Sequence, residues 1–293
     1  MTTPAPARRR WWRPRLYGVI LGIVVVYASV ITLYALSGQV RITQDAAPTV
    51  DDTVVEIETR AVHALDRQLE VSVTVRPSGP LAQESPLAFD EDVVLLMIPV
   101  RGEGQVTIPK DQIVAPTVAN IALDGSIDVW PFDRYEADSV VILPGHVVDD
   151  EFEALQTYYT VDGEVPGWAV TVQVVQEAEL PFIQITAQRS IATIVFAMVL
   201  LALMIVTPVL VLMVAISAYR GHRKVEATLM SWMGAMLFAT IPLRNFFPGA
   251  PPIGSWVDYL VVLWVIVGLV TGLAIFAAAW MRWTPRPDAP PRF

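Results

Sequence analysis

Charge and hydrophobicity are sorted into blocks along this chain, and the sorting limits what it can fold into. Residues 38–188 contain 26 of the 29 acidic residues but only 7 of the 20 basic ones, a formal charge of −19 (7 − 26) in a chain of net charge −9. Elsewhere, apolar residues form four stretches that are each about as long as a bilayer-spanning helix of ~20 residues. Most remaining basic residues flank these stretches: Arg8, Arg9, Arg10, Arg13, Arg15, Arg220, Arg223, Lys224, Arg282, Arg286 and Arg292.

Short loops rich in Lys and Arg stay on the cytoplasmic side of a membrane. The pattern therefore predicts a multi-pass plasma-membrane protein with both termini inside and residues 37–188 outside. The predicted fold class is membrane α+β: four transmembrane helices, one N-terminal and three C-terminal, with an extracytoplasmic antiparallel β-sandwich inserted between the first and the second. The predicted segments are a basic N-terminus (1–15), helix 1 (16–36), the acidic β-sandwich (37–188), helix 2 (189–219), a basic loop (220–225), helix 3 (226–243), a Pro-rich outer loop (244–258), helix 4 (259–281) and a Pro-rich tail (282–293).

Two interpretations of the first apolar stretch, Leu16 to Leu36, stay open. Ala35-Leu36-Ser37 before Gly38 is a passable cleavage site for a signal peptide. The stretch is nevertheless longer than the apolar region of about 7–15 residues that signal peptides usually have, which favours a retained membrane anchor. At the outer end of the second predicted helix, Arg189 is expected to reach the lipid headgroups.

Period-two alternation recurs within the acidic segment and predicts its strands. Leu69, Val71, Val73 and Val75 alternate with more polar residues, and Trp168, Val170, Val172 and Val174 repeat the pattern. Pro and Gly interrupt the β-rich runs at short intervals, as is typical of an antiparallel sandwich. One short helix is expected over Asp150 to Leu155.

No catalytic, cofactor or metal site is predicted. The chain has no cysteine, which excludes disulfides and thiolate chemistry. His63, His146 and His222 lie far apart in sequence, and the acidic runs 90–92 and 149–153 lack the spacing of a calcium-binding loop. No nucleophile elbow or phosphate-binding glycine loop is present, and the acidic balance disfavours nucleic acid.

Two aromatic, Pro-containing segments stand out as candidates for contact between the outer domain and the helices. The first, Trp130 to Tyr135, is interpreted either as a hydrophobic corner that closes the sandwich or as a loop that docks on the membrane part. In both cases Phe132 is expected to pack inward, while Asp133 accepts backbone hydrogen bonds in the turn.

The second segment, Arg244 to Asp258, also has two open interpretations. Ser255 and Asp258 have the spacing of a capping box that starts the fourth helix. Alternatively, Asp258 pairs with Arg244 and holds two helix ends together. The candidate residues for coupling the two parts are Trp130, Pro131, Phe132, Asp133, Arg134, Tyr135, Arg244, Asn245, Pro251, Pro252, Gly254 and Asp258.

These two segments, the order of the four spans and the acidic β-rich insert resemble a family of integral membrane proteins, the domain of unknown function 4436. The resemblance implies this architecture over residues 16–283 and brings no established activity. The Pro131-Phe132-Asp133 turn and the order of the segments from Arg189 to Trp280 are also similar, more weakly, to pentameric ligand-gated channels. The extra N-terminal span, the missing last span and the bulky Met and Trp residues of helix 3 depart from the channel pattern.

The predicted function is that of a non-enzymatic envelope protein, a binding, accessory or scaffold protein whose outer β-domain docks on its helical base. A ligand-responsive channel or sensor is the alternative, and an enzyme acting on envelope lipid or glycan is a third. The expected partners are the lipid bilayer and either an envelope protein or further copies of the chain.

Overall fold

The computed structural model describes residues 40–44, 49, 52–77, 87–148, 151–175, 181–222, 225–249 and 251–283, together with parts of the stretch 17–32. Within the predicted first span, residues 17–18, 21–22, 24–25, 27–29 and 31–32 are described, and all are helical and exposed. The rest of that span, the predicted N-terminal segment 1–15 and residues 284–293 lie outside the described residues. So do Arg223, Lys224, Asp149 and Asp150.

Twelve strands and three helices are named here in chain order. The strands are Arg41–Thr43 (β1), Thr53–His63 (β2), Gln68–Arg76 (β3), Val93–Ile98 (β4), Gln105–Ile108 (β5), Thr117–Ala122 (β6), Asp124–Gly125 (β7), Arg134–Val148 (β8), Glu151–Ala154 (β9), Thr157–Asp162 (β10), Trp168–Val175 (β11) and Phe182–Arg189 (β12). The helices are Ile191–Tyr219 (α1), Ala227–Asn245 (α2) and Leu263–Trp283 (α3), the last preceded by a π-helical turn at Asp258–Val262.

The strands form a domain of two packed sheets, called the sheet domain below. One sheet has the order β1-β11-β12-β8-β4-β5, with β7 and β9 also paired to β8, and the other has the order β10-β2-β3-β6. Their inner faces share one core, in which Leu69 and Val71 of β3 and Val170 and Val172 of β11 are at most 1% exposed. The prediction of a β-rich domain with alternating buried residues is confirmed.

The expectation of a purely antiparallel sandwich is wrong at two positions. β1 pairs with β11 in parallel, and β10 pairs with β2 in parallel. Parallel neighbours need a long crossover connection, and residues 64–156, which separate β2 from β10, supply one. Period-two alternation identifies the buried face of a strand but carries no information about the direction of its partner.

The short helix expected over residues 150–155 is also absent from the described residues. Residues 151–154 form β9, which pairs antiparallel with the end of β8, where Val148 lies opposite Glu151. A helix of about six residues makes too few internal hydrogen bonds to offset its nucleation cost, whereas a hairpin extends a ladder that already exists.

Two of the helices are long and apolar enough to cross a membrane. They are α1, with 29 residues, and the continuous helix Asp258–Arg282, with 25 residues. The third, α2, has 19 residues and buries only Met233 and Thr240 within the described part of the chain. The presence of four spans therefore remains a prediction. The structure shows two helices of suitable length and composition.

Helices α1 and α3 approach each other closely at two glycines one turn apart. A Cβ atom on Gly268 would lie 2.9 Å from Cβ of Pro208, and one on Gly272 would lie 2.6 Å from Cγ1 of Val211. Glycines at this spacing let two helix backbones come together, as in membrane helix pairs. The pair forms a closely packed part of the helical layer, and the sheet domain contacts the end of that layer where α1 begins.

Candidate functional site

The turn that leads into β8 carries a buried contact between the sheet domain and the helices; it is called the Trp130 turn (residues 126–133). Ser126 begins a short 3-10 helix over Ile127–Val129, because its hydroxyl oxygen accepts the Asp128 N–H at 3.2 Å. A hydrogen bond of 2.9 Å from the Phe132 N–H to the Val129 carbonyl then closes the turn. This geometry directs the Trp130 side chain out of the sheet domain.

Trp130 is fully buried, and it belongs to the apolar cluster of the helices rather than to the core of the sheets. Its indole Nε1–H donates to the Pro248 carbonyl at 2.9 Å. In the opposite direction, the Trp256 indole donates to the Trp130 carbonyl at 2.6 Å. The Trp130 ring also packs on Phe247, with ring centroids 5.1 Å apart. Pro248, Phe247 and Trp256 all lie in the α2–α3 loop (residues 246–249 and 251–257), which therefore holds Trp130 on several sides.

A buried ion pair lies beside this contact. The Arg189 Nε lies 3.0 Å and 3.1 Å from the two Asp133 carboxylate oxygens, and Nη2 lies 3.0 Å from Oδ2. The two side chains are 4% and 0% exposed. The guanidinium also stacks over the Trp168 ring, 4.1 Å from its centroid, an arrangement favoured by the ring quadrupole. A buried pair persists only when its partners satisfy each other in this way.

Arg189 also touches the α2–α3 loop, at Gly249. A Cβ atom built on Gly249 would lie 2.1 Å from Nη1 of Arg189, so only glycine leaves room for the guanidinium. Gly249 has φ +72°, a conformation that glycine adopts readily. Arg189 thus connects Asp133 of the sheet domain with the loop between two helices.

The chain passes directly from β12 into α1 at this position. Ser190 caps α1, with its hydroxyl oxygen accepting the Thr193 N–H at 3.2 Å. The Ser190 N–H and the Thr193 hydroxyl both donate to the Gly167 carbonyl, at 2.9 Å and 3.0 Å. The start of α1 is therefore tied to the sheet domain by backbone geometry as well as by Arg189.

Tyr135 completes the buried layer on the sheet side. It is fully buried and meets Trp168 edge-on, with ring centroids 5.6 Å apart. Burial raises the pKa of the Tyr135 hydroxyl well above its usual value, and the charge of the Asp133 carboxylate raises it further. The tyrosine therefore stays neutral beside the ion pair.

Arg244 and Asp258 close the neck of the α2–α3 loop. The Arg244 Nε and Nη2 lie 3.1 Å and 3.0 Å from the two Asp258 oxygens, and Nη2 also donates to the Pro251 and Pro252 carbonyls at 2.9 Å and 3.3 Å. The Gly254 N–H donates to Asp258 at 2.8 Å. One guanidinium thus holds the end of α2, the loop and the start of the last helix together.

In the capping box that was one of the two interpretations of Ser255 and Asp258, the serine hydroxyl would cap the helix, and it does not. The Ser255 hydroxyl is buried and makes no hydrogen bond within the described residues. The Asp258 carboxylate is bonded to Arg244 and Gly254 instead. A bidentate, charge-assisted contact is stronger than a neutral hydroxyl cap. The structure therefore contains the Arg244–Asp258 ion pair, the second of the two interpretations of Asp258.

Four other candidates do not contribute as expected. Phe132 was expected to pack inward, but it is 59% exposed, because the turn buries Trp130 against the helices in its place. Asp133 was expected to accept backbone hydrogen bonds and binds Arg189 instead. Arg134 points outward to an exposed ion pair with Glu136, and the exposed Asn245 makes no polar side-chain contact in the part of the chain that is described. Neither joins the buried contact.

Six residues take part in the contact but are not among the candidate residues: Arg189, Trp168, Phe247, Pro248, Gly249 and Trp256. The last four lie within the candidate segment Arg244 to Asp258. Arg189 was expected to reach lipid headgroups, but the structure buries it. One signal was available, because Arg189 is the only basic residue between Arg134 and Arg220 and it stands where strand passes into helix. An isolated positive charge at such a junction predicts an acidic partner in the adjoining part of the sheet domain.

The described residues include no group of three or more His, Asp or Glu side chains that could hold a metal ion. His63 pairs with Glu70 at 3.1 Å, and His146 pairs with Glu153 at 3.3 Å. The four-stranded sheet carries an open groove of about 510 Å³ lined by carboxylates, among them Glu56, whose Oε1 lies 2.7 Å from the Arg76 Nε.

Two family models match the chain, and they meet where β12 ends. The domain of unknown function DUF8686 matches residues 189–283, which include Arg244, Asp258 and the three helices. The domain of unknown function DUF4436 matches residues 43–190, or 148 of the 293 residues, and includes the whole Trp130 turn. The match to DUF4436 therefore covers a shorter part of the chain than the residues 16–283 expected from the sequence. A search of curated proteins found no match. The chain belongs to the DUF4436 family.

Proposed function

We propose that this protein is an integral membrane protein of the cell envelope that acts by binding, as an accessory or scaffold protein without catalytic activity. Its acidic sheet domain lies outside the membrane and is held rigidly on its own helices. The observation that carries this proposal is the complete burial of Trp130, a sheet-domain residue, within the apolar cluster of the helices.

Charge and hydropathy support the membrane placement. Helix α1 and the helix Asp258–Arg282 have the length and composition of spans, and residues 16–36 have the composition of another. Basic residues at the ends of these segments favour four spans with both termini inside. In that arrangement residues 37–188 are outside, with the Trp130 turn at the outer membrane boundary.

The rigidity of the contact supports a binding role. Trp130 joins the two parts through two hydrogen bonds, from its indole to the Pro248 carbonyl and from the Trp256 indole to its own carbonyl. Such contacts are costly to open because each buried partner would be left unsatisfied. A partner captured by the sheet domain would therefore be held at a fixed position relative to the membrane. Within the described residues, Met233 and Thr240 are the only buried residues of α2. The exposed surface of this helix leaves room for an envelope protein or a second copy of the chain.

A ligand-responsive channel or sensor is the second candidate, and one observation favours it. The Trp130 turn contacts the α2–α3 loop directly, so any movement of the sheet domain would reach the ends of both helices. Reconstitution in a planar bilayer distinguishes the two functions. Conductance supports the channel, whereas silence together with a co-purifying partner supports the scaffold.

The proposed docking is tested by substituting Trp130 in the full-length protein. We expect Trp130→Ala to speed hydrogen exchange in residues 126–135 and 246–257, while exchange in β2 and β3 stays unchanged. Trp232→Ala, which removes a partly exposed tryptophan from α2, is the matched control and should affect neither region. Unchanged exchange in the Trp130 variant would contradict a rigid dock.

The binding role is tested by gentle purification followed by particle imaging and mass determination. A stable homo-oligomer or a stoichiometric envelope partner is the expected result. A monodisperse, partner-free monomer counts against it. A tag near residue 100 that intact cells protect from added protease would reverse the proposed orientation.

A further inference from the structure

The Trp130 turn presents two apolar side chains to the outside while its tryptophan points inward. Val129 is 55% exposed and Phe132 is 59% exposed. The hydrogen bond between the Phe132 N–H and the Val129 carbonyl holds these two residues next to each other. Large apolar side chains exposed as a fixed pair at the end of a domain mark a contact with another apolar phase.

The α2–α3 loop, which Trp130 contacts, and the start of the last helix also expose large apolar side chains. Phe246, directly before the Phe247 that packs on Trp130, is 70% exposed, and Ile253 of the same loop is 93% exposed. Tyr259 and Leu260 are 62% and 65% exposed at the start of the last helix. The apolar belt is defined here as the exposed residues Val129 and Phe132 of the Trp130 turn, Phe246 and Ile253 of the loop that this turn contacts, and Tyr259 and Leu260 at the start of a candidate membrane-spanning helix.

We propose that this belt is buried in the outer leaflet of the bilayer, and that Val129 and Phe132 make the sheet domain itself a lipid-binding element. The inference rests on the proposed function, because it requires the helices to span a membrane. Its occupant is lipid, since Tyr259 and Leu260 of the belt belong to the helix Asp258–Arg282, which faces lipid in that arrangement. Aromatic and aliphatic side chains at this level match the boundary between headgroups and acyl chains.

Charge indicates which part of the lipid is recognised. Residues 126–133 contain no basic residue, and their two acidic residues are Asp128, which is exposed, and Asp133, which is paired with Arg189. Arg134, the next residue, is paired with Glu136. The turn therefore has no cation left to attract anionic headgroups, and its contact is with the apolar region. Zwitterionic lipid and high salt should leave the contact intact.

The absence of cysteine allows a direct test with single-cysteine variants of the full-length protein. Phe132→Cys reports on the turn, and Val270→Cys, on an exposed position of α3, reports on the span. Val147→Cys is the matched control, because Val147 is 51% exposed and lies near the far end of β8, the strand that starts two residues after Phe132. Each variant carries a nitroxide in phosphatidylcholine vesicles, and collisions with oxygen and with a water-soluble nickel chelate are compared.

The expected result is a high ratio of oxygen to nickel collisions at positions 132 and 270 and a low ratio at 147. A low ratio at 132 with a high ratio at 270 overturns the lipid contact and leaves the proposed function standing. A low ratio at 270 overturns the span and the lipid contact together. Shielding of position 132 from both reagents assigns the turn to a protein contact and also overturns the proposal. Val129→Cys repeats the measurement if the label at 132 disturbs folding.

Discussion

Arg189 and Asp133 form a bidentate ion pair, with side chains 4% and 0% exposed, at the residue where the sheet domain becomes the first long helix. Neither charge has access to bulk water, so each depends on the other. Removing one partner leaves an uncompensated buried charge, which costs much more than the intact pair contributes.

Asp133→Asn should therefore lower the free energy of unfolding by about 3–5 kcal/mol, because the guanidinium of Arg189 stays buried without its counter-charge. Unfolding of the purified protein in detergent measures this loss. Glu136→Gln, which breaks the exposed pair with Arg134, is the control and should cost only about 0.2–1 kcal/mol. Equal losses of unfolding free energy in the two variants would mean that the buried pair contributes no more to stability than the exposed pair.

Gly249→Ala should destabilise the protein more than Gly254→Ala does. Both glycines have positive φ, +72° and +96°, so both substitutions carry a backbone cost of about 1–2 kcal/mol. Only at Gly249 would the new Cβ collide with the Arg189 guanidinium, whereas at Gly254 the nearest atom is 3.9 Å away. The difference between the two unfolding free energies measures the contact with Arg189, and a difference of zero would show that the guanidinium shifts freely.

Arg244→Lys should loosen the α2–α3 loop. A lysine retains the charge but cannot bind Asp258 in bidentate fashion while also donating to the Pro251 carbonyl. We expect a loss of about 1–3 kcal/mol and faster hydrogen exchange in residues 251–257, with a similar effect from Asp258→Ala. Asn245→Ala, at the exposed neighbouring position, should change neither measurement. Unchanged stability in Asp258→Ala would remove the support for the ion pair as a clamp.

Gly272→Ala should weaken the packing of α1 against α3, because the added Cβ would lie 2.6 Å from Cγ1 of Val211. Overpacking of this kind costs about 1–3 kcal/mol. Gly234→Ala in α2 is the control, since a Cβ there meets nothing within 4 Å. Thermal unfolding in the same detergent compares the two variants, and an equal melting temperature would show that the helices separate without penalty.

Alkaline pH should destabilise the sheet domain through two buried tyrosines. Burial raises the pKa of Tyr159, whose hydroxyl donates to the Ile142 carbonyl at 2.8 Å, and burial with the Asp133 charge raises that of Tyr135. Because the folded pKa values exceed the unfolded value of about 10, the stability they contribute is complete below pH ~10 and is lost as the pH rises further. Phenolate absorbance should show these two tyrosines ionising only on unfolding. Early ionisation of all eight tyrosines would contradict this.

Local patterns predicted the parts of the fold that depend on near neighbours in sequence. Alternation at Leu69 and Val71 identified buried strand faces, and continuous hydropathy identified the long apolar helices that begin near Ile191 and Asp258. The pairing of Arg244 with Asp258 was also within reach, since only a short loop separates the two residues. The same reasoning failed for Phe132, because a turn's local composition does not say which of its aromatic side chains points inward.

The sequence by itself determined the order of the acidic β-rich segment and the apolar helices, because periodicity and hydropathy are properties of contiguous residues. Only the tertiary structure decided that Trp130 bonds to Pro248, 118 positions away, and that Asp133 meets Arg189, 56 positions away. Such contacts depend on how strands pair and on the direction in which β12 enters α1. The packing of the whole core determines the strand pairing and this direction, so no single segment of the sequence predicts them.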